Sequence, residues 1–228
     1  MGGTEGSMNR EALFENTAMV ACGTVRMELN LLRRQGRLNP RKILYTRPGR
    51  HEDPKELEVR LVKRVRQAKT YADRVIVAYG GKFCYINAAD PFRSMDAIIQ
   101  ELGDDVVRIN ASHCIDMLAD AAHREEIRAG EKVFWLTPGW VVYRNFVFQD
   151  WDRGKANENF PQHTGGAVLL DAVGFWQAYS ESHPEELLEF SDWMGIPIRP
   201  YPVSLDRLVD LLREAGRKDA RSSRQEGR

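Results

Sequence analysis

Along the chain, short apolar runs alternate with stretches whose apolar positions recur every three or four residues. Thr17–Cys22, Lys42–Thr46, Arg74–Tyr79, Asp105–Ile109 and Lys132–Leu136 have strand length and strand composition. After the first, Met27, Leu29, Leu31 and Leu32 mark a helix that stops near Gly36. After the second, Pro54 opens a helix carrying Leu57, Leu61, Val65 and Ala68 on one face. Ser94–Leu102 predicts a further helix ended by Gly103. Ser112 fits the N-cap of a helix running through Ile115, Leu118 and Ala122. The polar stretch Gln149–Gly166 reads as a long functional loop or a helix start. Ala167–Gln177 and Pro184–Met194 look helical, and Leu205–Leu212 closes the pattern as a helix. Ile196–Pro200 has strand character, but its prolines push it to a sheet edge. The alternation predicts an α/β fold of Rossmann-like, three-layer type: a mostly parallel sheet with helices on both faces.

With 228 residues, 43% of them apolar and 29% charged, the chain suits one sizeable domain over residues 17–215. Residues 1–16 and 216–228 are expected to be flexible tails, being too poor in apolar residues to offset ordering entropy. The 33 basic and 33 acidic residues cancel, which argues against nucleic acid or an anionic membrane surface as partner. No run approaches the roughly 18 apolar residues of a membrane span. Met1–Asn16 has no apolar core of a secretory leader, so a cytoplasmic location is expected and the three cysteines are read as thiols.

In open parallel sheets, ligands bind at the carboxyl ends of the strands. There this chain places Cys22, Gly23 and Thr24, with Glu28 one helical turn on. Tyr79, Gly80, Lys82 and Cys84 follow the third strand, His113, Cys114 and Asp116 the fourth, and Thr137, Gly139 and Trp140 the fifth. All three cysteines thus fall just past strand ends. Three thiolates with an optional imidazole are a soft ligand set that zinc takes tetrahedrally, leaving a position open for substrate. An iron–sulfur cluster is the less favoured alternative, because closely spaced cysteines are absent. The plainer alternative is three unconnected buried thiols. Glu28 is a candidate general base or ligand-orienting group, and Lys82 a charge that stabilises a thiolate or holds a carboxylate. Tyr79 and Trp140 are candidate pocket walls. Gly80-Gly81-Lys82 does not complete a phosphate-loop or dinucleotide motif.

The order of these short motifs resembles the family called domain of unknown function 1638. The matching residues are Cys22-Gly23 with Glu28, then Pro48 and His51, and Tyr79-Gly80 with Cys84. His113-Cys114 and Leu136-Thr137-Pro138-Gly139-Trp140 complete the set. The resemblance spans roughly Ala18 to Leu212. It departs at Gly81-Lys82-Phe83, which separates Cys84 from the Tyr-Gly step more than in many members. It implies a shared thiol site at the sheet rim and an association with corrinoid-dependent methyl transfer.

The leading expectation is therefore a metal-binding protein, with zinc on Cys22, Cys84 and Cys114 and His113 as alternative fourth ligand. Tyr79, Gly80, Lys82, Thr137, Gly139 and Trp140 would line the cofactor or substrate. As an enzyme it would be a zinc-dependent methyl or small-group transferase acting on a small molecule, with a corrinoid protein as partner. The alternatives are a non-enzymatic carrier of metal or corrinoid, and a metal-free reactive-thiol protein.

Overall fold

The computed structural model describes residues 14–49 and 53–217. Among them are seven strands, all pairing in parallel. β1 (Thr17–Cys22) lies between β2 (Lys42–Thr46) and β3 (Arg74–Ala78), and β4 (Val106–Arg108) lies outside β3. A second sheet runs in the order β5 (Phe134–Leu136), β6 (Ala167–Asp171), β7 (Ile198–Pro202). The expected parallel α/β architecture is present, with its strands divided between a four-stranded and a three-stranded sheet.

A 3-10 turn over Gly23–Val25 leads from β1 into α1 (Arg26–Arg34). α2 (Pro54–Ala68) starts with a proline and with Glu56 N–H donating to Asp53 Oδ1 at 2.9 Å, and it buries the expected face of Leu57, Leu61, Val65 and Ala68. α3 (Met95–Glu101) is capped by Ser94, as read from the sequence. These helices cover the two faces of the first sheet. Leu57, Leu61, Ile98 and Ile99 pack against Ala18, Val20, Val75 and Val77 on one face. On the other, Leu29 and Leu32 of α1 and Leu208 and Leu212 of α10 (Asp206–Arg217) pack against Met19, Ala21, Ile76 and Ala78. That second core also takes in Val168 and Leu170 of β6, so it joins the two sheets. Leu136, Ala167 and Leu169, on the far side, pack against Phe160, Phe190 and Met194.

Two expectations are corrected. Ser112 caps no long helix: its N–H and hydroxyl both donate to Asp116 Oδ2, and Ile115–Met117 is a single 3-10 turn. The helix begins later, as α4 (Ala121–Arg128), capped by Asp120 through His123 N–H at 2.9 Å. Ala167–Gln177 is not one helix but β6 followed, after Gly174, by α8 (Phe175–Ser182). Within the polar stretch lies α7 (Arg153–Asn159), capped by Asp152; α5 (Pro138–Val142) and α6 (Arg144–Val147) precede it, and α9 (Pro184–Met194) follows α8. Phe14, expected in a tail, is buried, and α10 runs on to Arg217; residues 1–13 and 218–228 of the expected tails lie outside the described residues. No helix among the described residues is long and apolar enough to cross a membrane.

Candidate functional site

The strand order makes a topological switch beside β1, since the chain leaves it toward β2 on one side and β3 lies on the other. Cys22 ends β1 at this point, and Tyr79-Gly80 leaves β3 next to it. The loop after β3 is stapled to the loop after β4 by Gly81 N–H to Ala111 O at 2.8 Å and Phe83 N–H to Ser112 O at 3.2 Å. Gly80 permits this approach: a Cβ there would stand 2.4 Å from His113 Cα and 2.6 Å from Cys84 Sγ. Arg108, whose Nη1 donates to the carbonyls of Tyr79, Ile109 and Ala111, ties the same two loops together.

Three buried thiols meet here from three segments. Thr24 Oγ1 donates to Cys22 Sγ at 3.2 Å, and Trp140 Nε1 donates to Cys114 Sγ at 3.3 Å. Other polar groups lie close enough to favour the thiolates, against the stronger effect of burial: Thr24 N–H and the Tyr79 hydroxyl near Cys22, Gly80 and Cys114 N–H near Cys84, and Ile115 N–H near Cys114. The Tyr79 hydroxyl is fixed on its other side by Thr46 Oγ1. Burial pushes all three thiols up, Cys84 well above the ordinary thiol value and Cys114 to about 11. Repulsion among them adds to this: Cys114 and Cys22 act on Cys84, and Cys22 acts on Cys114. Among the described residues no three His, Cys, Asp or Glu side chains stand already drawn together as a metal cage.

The fifth-strand motif closes over this cluster. Thr137 Oγ1 donates to Thr24 O at 3.1 Å, and a Cβ on Gly139 would stand 2.2 Å from that same oxygen. The bare glycine therefore lets α5 lie on the Gly23–Val25 turn and brings Trp140 to Cys114. Of the expected lining residues, Tyr79, Gly80, Thr137, Gly139 and Trp140 are gathered around the thiols. Lys82 is not: it is exposed, with its ammonium 5.7 Å from the Phe83 ring centroid. His113, expected as a fourth ligand, accepts Asp116 N–H on Nδ1 at 3.1 Å and sits against Phe83. With Nδ1 taken by that contact, the neutral ring carries its proton on Nε2. Burial, with Arg124 nearby, holds its pKa below the ordinary imidazole value. His51 lies outside the described residues.

Glu28 is fully buried in the first turn of α1, and neither carboxyl oxygen has a hydrogen-bond partner. Burial, and secondarily the Asp171 charge, push its pKa up to about 8. Asp171 belongs to β6 and Glu28 in turn acts on Tyr45 of β2, so this carboxyl faces the seam between the two sheets. Sequence reasoning left Thr46, Arg108 and Asp171 out of the site. The signal for Arg108 was present, a lone cation inside an apolar strand run. Asp171 was hidden inside a supposed helix.

No curated protein and no solved structure matches the chain. Cys22 and Glu28 precede the stretch on which the family relationship rests, while Cys84, Cys114 and Trp140 fall inside it. That stretch is residues 45–212, matched by the model for a protein of unknown function (DUF1638), and over this extent the chain belongs to the DUF1638 family.

Proposed function

We propose that Cys22, Cys84 and Cys114 act as one thiolate site for a soft metal ion, zinc in the first instance. The observation that carries this reading is three buried sulfurs from three segments, near enough to repel one another, two of them already held by the Thr24 hydroxyl and the Trp140 N–H. A thiol is a weak acceptor, and such donors suit the thiolate. Three thiolates buried together repel one another and need a cation. The donor chemistry fits zinc, and binding has to draw the sulfurs closer than they stand. Bound there, zinc would supply the missing charge and lower the pKa of a small substrate thiol, preparing it to accept a methyl or similar group. A corrinoid protein as the donor of that group belongs to the same proposal. The protein's own part is to hold the sulfurs: Thr24 on Cys22 with Tyr79 beside it, and Trp140 on Cys114. A metal-free reactive cysteine is the weaker reading, because such a residue needs access and a depressed pKa, and all three thiols are buried and raised.

The test is elemental analysis of the full chain purified anaerobically, beside Cys22→Ser, Cys114→Ser and Trp140→Phe. About one zinc per chain is expected, lost in both serine variants and held more weakly without the indole donor. Cobalt substitution should give thiolate charge-transfer absorption, a readout of sulfur ligation independent of activity. Wild type that takes up neither metal after reconstitution overturns the proposal.

A further inference from the structure

Beyond Trp140 the packing turns aromatic. Its ring centroid lies 5.7 Å from that of Phe148. Trp151 and Trp193 each tilt against Phe148, at 5.3 Å and 62° and at 5.2 Å and 49°. Both indoles also lie 5.5 Å from Phe160, which backs the cluster. Phe190 stacks on Trp193 at 6.1 Å and 18°. Four of these rings, Phe148, Trp151, Phe190 and Trp193, line an open groove of about 450 Å³ beside α6 and α9.

The groove's charged groups decide what fits. Arg144 lines it, but its Nη2 donates to Glu186 Oε2 at 2.7 Å and its charge is matched there. Glu189 lines it too, is exposed, and forms no ion pair among the described residues. Phe148 and Phe190 are themselves buried, so the open part of the wall is the two half-buried indoles, Trp151 and Trp193, with one unmatched carboxylate. An anion meets that carboxylate, and a small hydrated metal ion gains nothing from indole walls. A purely apolar ligand leaves the charge unused. A weakly hydrated organic cation uses both, since ring faces attract positive charge and methyl groups give it contact area. Trp151 already takes part in such an interaction, with Lys155 Nζ 4.8 Å from its ring centroid.

We infer that this groove binds a quaternary ammonium group of a small molecule. The inference stands apart from the thiol site, since it uses none of the cysteines. The experiment titrates the full chain with choline, tetramethylammonium and 3,3-dimethylbutanol, the neutral isostere of choline, by calorimetry and tryptophan fluorescence. Both cations should saturate the protein, and the neutral isostere should bind about tenfold more weakly or less. Glu189→Gln, a surface change that leaves the fold intact, and Trp193→Leu should each weaken choline by about 3- to 30-fold. Trp193→Phe should keep most of the affinity. Equal binding of choline and its neutral isostere overturns the inference, as does failure of both cations to saturate or indifference to Glu189→Gln.

Discussion

At the scale of single residues, Glu28 carries an unrelieved cost of burial. Its carboxyl is fully buried without a hydrogen-bond partner, and burial chiefly, with Asp171 second, raises its pKa from 4.5 to about 8. A buried carboxylate lacking partners is costly, so the group is held as the neutral acid at neutral pH. Because the folded pKa exceeds the unfolded one, the folded state keeps a proton that the unfolded state releases between them. The associated stability is fully present below pH 4.5 and is lost as pH rises through about 8. A shift of that size corresponds to at most about 5 kcal/mol. Glu28→Gln should flatten the dependence of the urea midpoint on pH between 5 and 9, while wild type weakens across the same range. Parallel profiles for the two proteins would mean that Glu28 titrates normally. The thiols were legible from the sequence because cysteine just past a strand end is a positional signal. The groups that hold them were not: the Thr46–Tyr79 and Trp140–Cys114 contacts depend on which elements become neighbours, and the chain alone does not state that.

At the scale of elements, β6 and α8 show both what patterning reads and where it stops. β6 is a central strand buried on both faces, so Ala167-Val-Leu-Leu shows neither a period of two nor one of 3.6. Leucine and alanine then tip the reading toward helix. The actual boundary is chemical. Asp171 takes N–H groups from Val173 at 3.0 Å, Phe175 at 2.9 Å and Trp176 at 2.8 Å, so the last residue of the strand caps the helix after it. Gly174 supplies the left-handed turn between them at φ 71°. The amphipathic α2, with a Pro start and an Asp cap, was legible because local sequence and tertiary burial agree there. Asp171→Ala should cost about 1–2 kcal/mol, the usual worth of an N-cap. Amide exchange should quicken first at Phe175 and Trp176. If protection at those two amides is unchanged, Asp171 is not what starts α8.

At the scale of the whole molecule, the question is whether two sheets make one cooperative unit. The core that holds Met19 and Ile76 of the first sheet also holds Val168 and Leu170 of the second, with α10 packed into it. α10 is tied back to the first sheet by Arg74, whose Nη2 donates to Ala215 O at 3.0 Å. Shared burial of this kind couples unfolding, because opening one sheet exposes apolar surface of the other. The tryptophans allow a direct test: all five lie between Trp135 and Trp193, and none lies in the first-sheet half. Tryptophan emission therefore reports on the second sheet and its helices. Leu61 is remote from that half, fully buried between α2 and the first sheet. Leu61→Ala should cost about 2–5 kcal/mol through lost transfer energy and the cavity left behind. In one cooperative unit that loss lowers the midpoint seen by tryptophan emission as much as the midpoint seen by far-ultraviolet dichroism, by roughly 4–20 °C for a chain of this length. A dichroism transition that splits, with the tryptophan midpoint left in place, would mean that the second sheet stands without the first. Joint movement of both signals would also bear on the thiol site, since Cys22 and Cys84 come from the first half and the Trp140 donor from the second, and a site so divided keeps its geometry only while the halves fold together.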